Sequence, residues 1–212
     1  MRQTLILSLL AACALFTLQA QATEQTRSVA AFTSVSNSGP ISVHIEVGKA
    51  QSVIASGEDD FLADLQTEVV GTELKLHMRH DNNFNSGHRS GLKVTITVPQ
   101  LTAFTMAGAG NTTITHMSGD GLDVSFSGAG NLKADGSVKN LKLNIAGVGS
   151  IDTRELHAES ANVNVGGVGS VKVWASARLD ASVGGVGSLT YYGDPKIVNT
   201  TGGGLGSISR AK

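Results

Sequence analysis

SGAGN at residues 127–131, AGVGS at 146–150, GGVGS at 166–170 and again at 184–188, and GGLGS at 203–207 are one motif, and AGAGN at 107–111 is a sixth copy. Each unit sets two glycines around one small or apolar residue and closes on an amide or hydroxyl. The sets are Gly108, Gly110 and Asn111; Gly128, Gly130 and Asn131; and Gly147, Gly149 and Ser150. They continue as Gly167, Gly169 and Ser170; Gly185, Gly187 and Ser188; and Gly204, Gly206 and Ser207. Successive first glycines stand 20, 19, 20, 18 and 19 residues apart. A fixed period of this kind marks a repeat architecture.

The residues leading into each motif alternate. Leu122, Val124 and Phe126 precede one copy, Leu141, Leu143 and Ile145 the next, then Ala161, Val163 and Val165, and Leu179, Ala181 and Val183. Polar or small residues fill the positions between, which is the pattern of a strand with one face buried. An apolar residue returns four positions after the first glycine, as Leu132, Ile151, Val171, Leu189 and Ile208. Each repeat therefore reads as strand, glycine corner, strand and variable turn, with no helix-length segment. A single 19-residue unit cannot bury its own apolar face, but stacked copies can. Hairpins would call for two-residue Asn-Gly or Asp-Gly turns. One corner repeated once per period fits coils lying directly on one another. The predicted fold is all-β, a right-handed parallel β-helix with coils of 18–20 residues. Six coils would span about 24 Å over five steps. In that fold a corner glycine avoids the coils above and below and can take positive φ. The Asn and Ser files can pass hydrogen bonds from coil to coil.

Residues 1–22 read as a secretory signal: Arg2, an apolar run from Leu5 to Leu18, and Ala20-Gln21-Ala22 as the cleavage site. The run is too short to favour a membrane anchor. Cys13 lies in a lipoprotein-like context, but the apolar run continues past it, so cleavage after Ala22 is preferred to lipidation. Removing Arg2 leaves 15 basic and 17 acidic residues, a net charge of −2. That balance implies no nucleic-acid partner. With Cys13 gone no disulfide is available, so sheet and core alone hold the exported chain. Residues 28–212 read as one domain, with irregular first coils and a cap over 28–100 and the six repeats over 101–212.

Within the cap region, Ile41 to Val47 alternates as a strand ending at Gly48. Asp59 to Leu65 suggests a short helix with acidic residues in its first turn. Val69-Val70 and Leu74 to Met78 flank Gly71-Thr72 as two tightly joined strands. Residues 80–91 read as a polar loop. Leu92 to Val98 is a strand halted by Pro99.

The run GPISVHIEVG, then GEDDFLADL, LKVTITVPQL leading into the corner motifs, and the closing YYGDPKI and GLGSI resemble one family. It is the bacterial autotransporter-adhesin head GIN domain family, and the resemblance covers about residues 28–210. It implies a right-handed β-helix, an exported or envelope location and an adhesive role. Many relatives carry Asp after the second glycine, where this chain has Asn or Ser. Nothing in the sequence resembles the membrane strands of a translocating barrel, so the chain is not expected to be an autotransporter by itself.

Chemistry is sparse in this sequence. Dinucleotide and phosphate loops need a helix after the glycines, and none follows. Calcium-binding nonapeptide repeats need aspartates at a different period. His77, His80 and His88, with Asp81, are the best metal candidates. His77 and His80 would face opposite sides of a strand, so a polar loop is the preferred reading and no metal or cofactor is assigned. No nucleophile, base and acid set is legible, and the outward file Asp123, Lys142, Asn162, Asp180, Asn199 reads as a solvated face. The expected function is non-catalytic binding of a glycan or protein at the cell envelope, in the periplasm, at the outer membrane or secreted. The alternatives are an envelope polysaccharide-acting enzyme and a structural or regulatory envelope module. The candidate binding patch is Arg154, Trp174 and Tyr192, each seven residues beyond a first glycine, with Lys172 beside Trp174.

Overall fold

The computed structural model describes residues 23–79 and 91–211. Strand makes up 72% and helix 3% of it, wound into a parallel β-solenoid of about five turns. In chain order the strands are β1 (Thr23–Thr26), β2 (Ser34–Asn37), β3 (Ser42–Val47), β4 (Ser52–Gly57), β5 (Leu65–Val70), β6 (Glu73–Met78), β7 (Lys93–Val98) and β8 (Ala103–Met106). They continue as β9 (Ala109–Phe126), β10 (Ala129–Ile145), β11 (Val148–Val165), β12 (Val168–Val183), β13 (Val186–Tyr192), β14 (Ile197–Gly202) and β15 (Ser207–Arg210). The helix α1 (Asp59–Asp64) lies between β4 and β5.

Each of β9 to β12 runs from one glycine corner almost to the next and forms most of a coil. Neighbouring coils pair in parallel and in register, so Leu132 lies beside Thr112 and Ile151, and Leu143 beside Val124 and Val163. The alternation of the sequence becomes inside and outside, with Leu122, Leu141 and Val163 buried. One interior file runs Phe126, Ile145, Val165, Val183, Gly202, so the core narrows towards the C-terminal end. A second runs Thr153, Val173 and Tyr191 to the exposed Arg210, which meets Asp194 at 2.7 Å at the open end.

The corners are closed by backbone contact. A Cβ on Gly167 would stand 2.0 Å from the carbonyl oxygen of Gly147, and one on Gly169 would stand 1.8 Å from that of Gly149. Gly169 also has φ +145°, where side chains are rarely tolerated. The two glycines let the carbonyl below approach, and the Val168 N–H donates to the Gly147 carbonyl at 3.0 Å. Beside the corner, Asn131 donates to the Asn111 side chain at 3.0 Å, and the Ser150 and Ser170 hydroxyls lie 3.1 Å apart.

The coils before the repeats are not stacked in chain order. β2 and β3, joined through Ser38-Gly39-Pro40, make one coil, and β6 and β7 contribute another. β2 lies between β6 and β8, and β3 between β7 and β9. The earlier coil is thus internal and the later one lies outside it. Asn37 is fully buried and fastens the early corner: its side chain donates to the Ile41 carbonyl at 2.9 Å and accepts from the Gly39 N–H at 3.0 Å. Beyond β6 and β7 the pairing turns antiparallel, through β5 on one face and β4 and β1 on the other. Leu62 of α1 and Leu65 of β5 are buried in this cap, which closes the core at that end. At the opposite end β14 is exposed along its whole length.

Candidate functional site

Trp174 sits on the outward phase of β12, between the buried Val173 and Ala175. It pairs in register with Tyr192 of β13. The two aromatic side chains are therefore one coil step apart, about 4.8 Å, and both are half-buried. Gly193, at φ +82°, follows Tyr192 and passes close over the indole: a Cβ there would lie 3.1 Å from the Trp174 ring. The turn after β13 thus braces one edge of the Trp174 ring.

On the other side of Trp174 the register partner is His157, not Arg154. The ring centroids of His157 and Trp174 are 4.4 Å apart and tilted by 30°. The cause is a difference in coil length. The coil opening at Gly147 has 20 residues and the next has 18; three residues bulge between Thr153 and His157, and one position is returned between Ala158 and Ser160, where two residues of β12 face one of β11. Counting a constant seven residues from the glycine fails across that bulge. Only the unequal spacing of the glycines signals it, and His157 is the residue that sequence reasoning missed. Arg154 lies in the bulge, exposed, with its guanidinium 2.9 Å from the Asp152 carboxylate. That carboxylate first, and then the Tyr192 side chain two coils away, raise the Arg154 pKa above its ordinary value. Lys172 is half-buried in register between Asp152 and Thr190. The flank therefore joins an imidazole, an indole and a phenol in adjoining coils, with a guanidinium and an ammonium beside them. Such a surface can stack on a ring and donate hydrogen bonds to it.

Elsewhere the outward file Asp123, Lys142, Asn162, Asp180, Asn199 is in register along its length. At the corners the residue between the two glycines points outward, aligning Ala109, Ala129, Val148, Val168 and Val186. The three valines are 57%, 50% and 50% exposed, and Leu205 at the last corner is 87% exposed. Among the described residues no three His, Cys, Asp or Glu side chains gather as a metal site. His77 lies on β6 opposite Gln66, whereas His80, Asp81 and His88 lie outside the described residues, as do Cys13 and the other residues of 1–22. No helix among the described residues is long and apolar enough to cross a membrane.

Comparison with known proteins finds the family described as "Putative auto-transporter adhesin, head GIN domain", whose model matches residues 31–195. Among solved structures, that of a "putative adhesin" from Bacteroides fragilis superposes with a TM-score of 0.73 at 24% identity, covering 91% of this chain and 98% of that one. A "putative lipid binding protein" from Parabacteroides distasonis gives a TM-score of 0.51 at 20% identity, over 91% and 98% of the two chains. A "putative adhesin" from the same species gives 0.50 at 18% identity, over 90% and 97%. These likenesses show the fold. No curated protein matches.

Proposed function

This chain belongs to the autotransporter-adhesin head GIN domain family, and from that premise we propose that it is an exported, non-catalytic binding module of the cell envelope, delivered by the signal over residues 1–22. The binding surface in this reading is the flank of Trp174 and Tyr192, with Arg154, Lys172 and His157 around them. The ligand is a sugar ring of an envelope glycan or an equivalent ring on a partner protein.

The observation that carries the reading is the in-register pairing of Trp174 with Tyr192. Aromatic residues are only 4% of this sequence, yet two of them stand in register on one outward flank, and one of these, Trp174, meets a histidine ring. A rigid sheet fixes their spacing, so little side-chain freedom is lost on binding. Catalysis is disfavoured because the clearest carboxylates are committed to cations: Asp152 to Arg154, Asp123 to Lys142 and Asp180 to Arg178. A general acid needs a carboxyl held protonated near neutrality, and Asp120 and Asp180 are shifted the opposite way.

The test is binding of the purified chain to envelope fractions and a glycan panel, with a Trp174→Ala/Tyr192→Ala variant as comparison. Loss of binding with an unchanged circular dichroism spectrum supports the reading. Undiminished binding shows that the two rings only brace the Gly193 turn.

A further inference from the structure

A second surface, on a different face, has the shape and chemistry of a binding groove. Two hollows of about 500 and 350 Å³ adjoin on the outer side of the sheet that precedes the corners, and both are lined by Asn162 and Asp180. Their floor is the file from Asp123 to Asn199, flanked in the larger hollow by Asn140 and Ser160 and in the smaller by a second file in register: Asn164, Ser182 and Thr201. Except for Lys142 these side chains are short, so the floor stays open over four coil steps, about 19 Å. We propose that this groove binds an extended, uncharged polysaccharide laid along the solenoid axis.

Charge and hydrogen-bond capacity select that ligand. Every carboxylate in the groove is already matched to a cation. Asp120 meets Lys139 at 2.7 Å, Asp123 meets Lys142 at 3.0 Å, and Asp180 accepts from Arg178 at 2.9 Å and from Asn199 at 2.7 Å. Arg178 and Asn199 hold Asp180 below its ordinary pKa, in keeping with that pairing. A polyanion would have to break these pairs to reach a cation, and a polycation to reach a carboxylate. Among the described residues, the side chains of the groove's Asn162 and Asn164 make no hydrogen bond. Each amide offers donors and an acceptor at once, which suits hydroxyl groups that both give and take. A peptide would need an apolar anchor pocket, and the apolar residues lining the larger hollow, Leu122, Leu141 and Ala161, are each only 2% exposed. The two files repeat at each coil step, so the ligand should itself be a chain of repeating units.

The groove does not include the Trp174 flank, so each site can fail without the other. The experiment is calorimetric titration of the purified chain with cellohexaose, maltohexaose and mannohexaose, and with oligogalacturonate as the acidic counterpart. Nitrogen-labelled protein would be followed in parallel through its asparagine side-chain amide signals. At least one neutral oligomer should bind and shift the signals of Asn162 and Asn164. Replacing Asn162 or Asn164 by Ala should each weaken binding by about 3- to 10-fold, and Val168→Thr, at an exposed corner outside the groove, should leave it within about twofold. The proposal is overturned if none of the neutral oligomers binds or if oligogalacturonate binds more tightly. It is also overturned if the amide signals stay still while the Trp174/Tyr192 variant loses binding.

Discussion

Within the single pentapeptide GGVGS at residues 166–170, glycine-to-alanine changes should have opposite signs. At Gly169 the added Cβ would stand 1.8 Å from the Gly149 carbonyl oxygen, where real Cβ contacts essentially never fall below 3.0 Å. The two coils must therefore part by more than roughly 1 Å, which carries nearby corner bonds out of hydrogen-bond range. The Val168 N–H to Gly147 and Gly167 N–H to Ile145 bonds, at 3.0 and 3.1 Å, join the two parted corners. Losing two such bonds costs about 2 kcal/mol, and holding alanine at φ +145° adds about 1–3 kcal/mol. The expected loss for Gly169→Ala is about 3–5 kcal/mol, or a fall in Tm of about 6–20 °C for a chain of this size. Gly166 differs: the nearest atom to its added Cβ is the Ile145 carbonyl oxygen at 3.9 Å. Gly166→Ala should be neutral or stabilise by up to about 1 kcal/mol, by restricting the unfolded chain. Urea titration of both variants checks this. The corner argument is refuted if Gly169→Ala lies within about 1 kcal/mol of the parent, or if both alanines destabilise equally.

Phe126→Ala, which empties a fully buried position, should cost about 3–5 kcal/mol by denaturant titration. Threonine at Val148, Val168 or Val186, all at least half exposed, should change stability by less than about 0.5 kcal/mol. Asn131→Ala removes the exposed bond to Asn111 and should cost no more than about 1 kcal/mol. Lys49 depresses the Glu46 pKa below 4.5, and Lys139 and Arg178 depress those of Asp120 and Asp180 below 3.8. Groups depressed in the folded state stabilise it above their unfolded values and lose that effect as pH falls through the folded ones. Melting temperature should therefore hold down to about pH 5 and drop below about pH 4; a profile flat to about pH 3 would remove these pairs from the account.

The repeated half was legible because one apolar face and one steric corner recur at nearly constant spacing. Leu143 buries because the coils stack in parallel and in register. The short helix at Asp59–Asp64 and the strands either side of Gly71-Thr72 were also readable from local signals. The spatial order of the first coils was not. The placement of β3 between β7 and β9 depends on pairings such as Ile45 with Ile96 and with Ile114, and any apolar strand could have filled that slot. The flank was half legible. Trp174 and Tyr192 share a phase set by their own corners, but the partner across the bulge depends on where the surplus residues of a 20-residue coil are placed. Alternation alone does not fix that. The exposed valines were hidden for another reason: hydrophobicity says bury, while the two flanking glycines force the residue outward.

The displaced early coil also bears on the order of assembly. β2 and β3 leave the ribosome early, yet β3 has no neighbour until residue 93 arrives and is not enclosed until residue 115. Closing such distant pairings is slow, whereas each later coil needs only a partner about one repeat back and can add by nearest-neighbour zippering. The N-terminal block is then the nucleus, and the C-terminal coils are the part that frays first. A chain threaded through a membrane from its N-terminus would stay unsealed until about half of it had passed, and would close only once it was across.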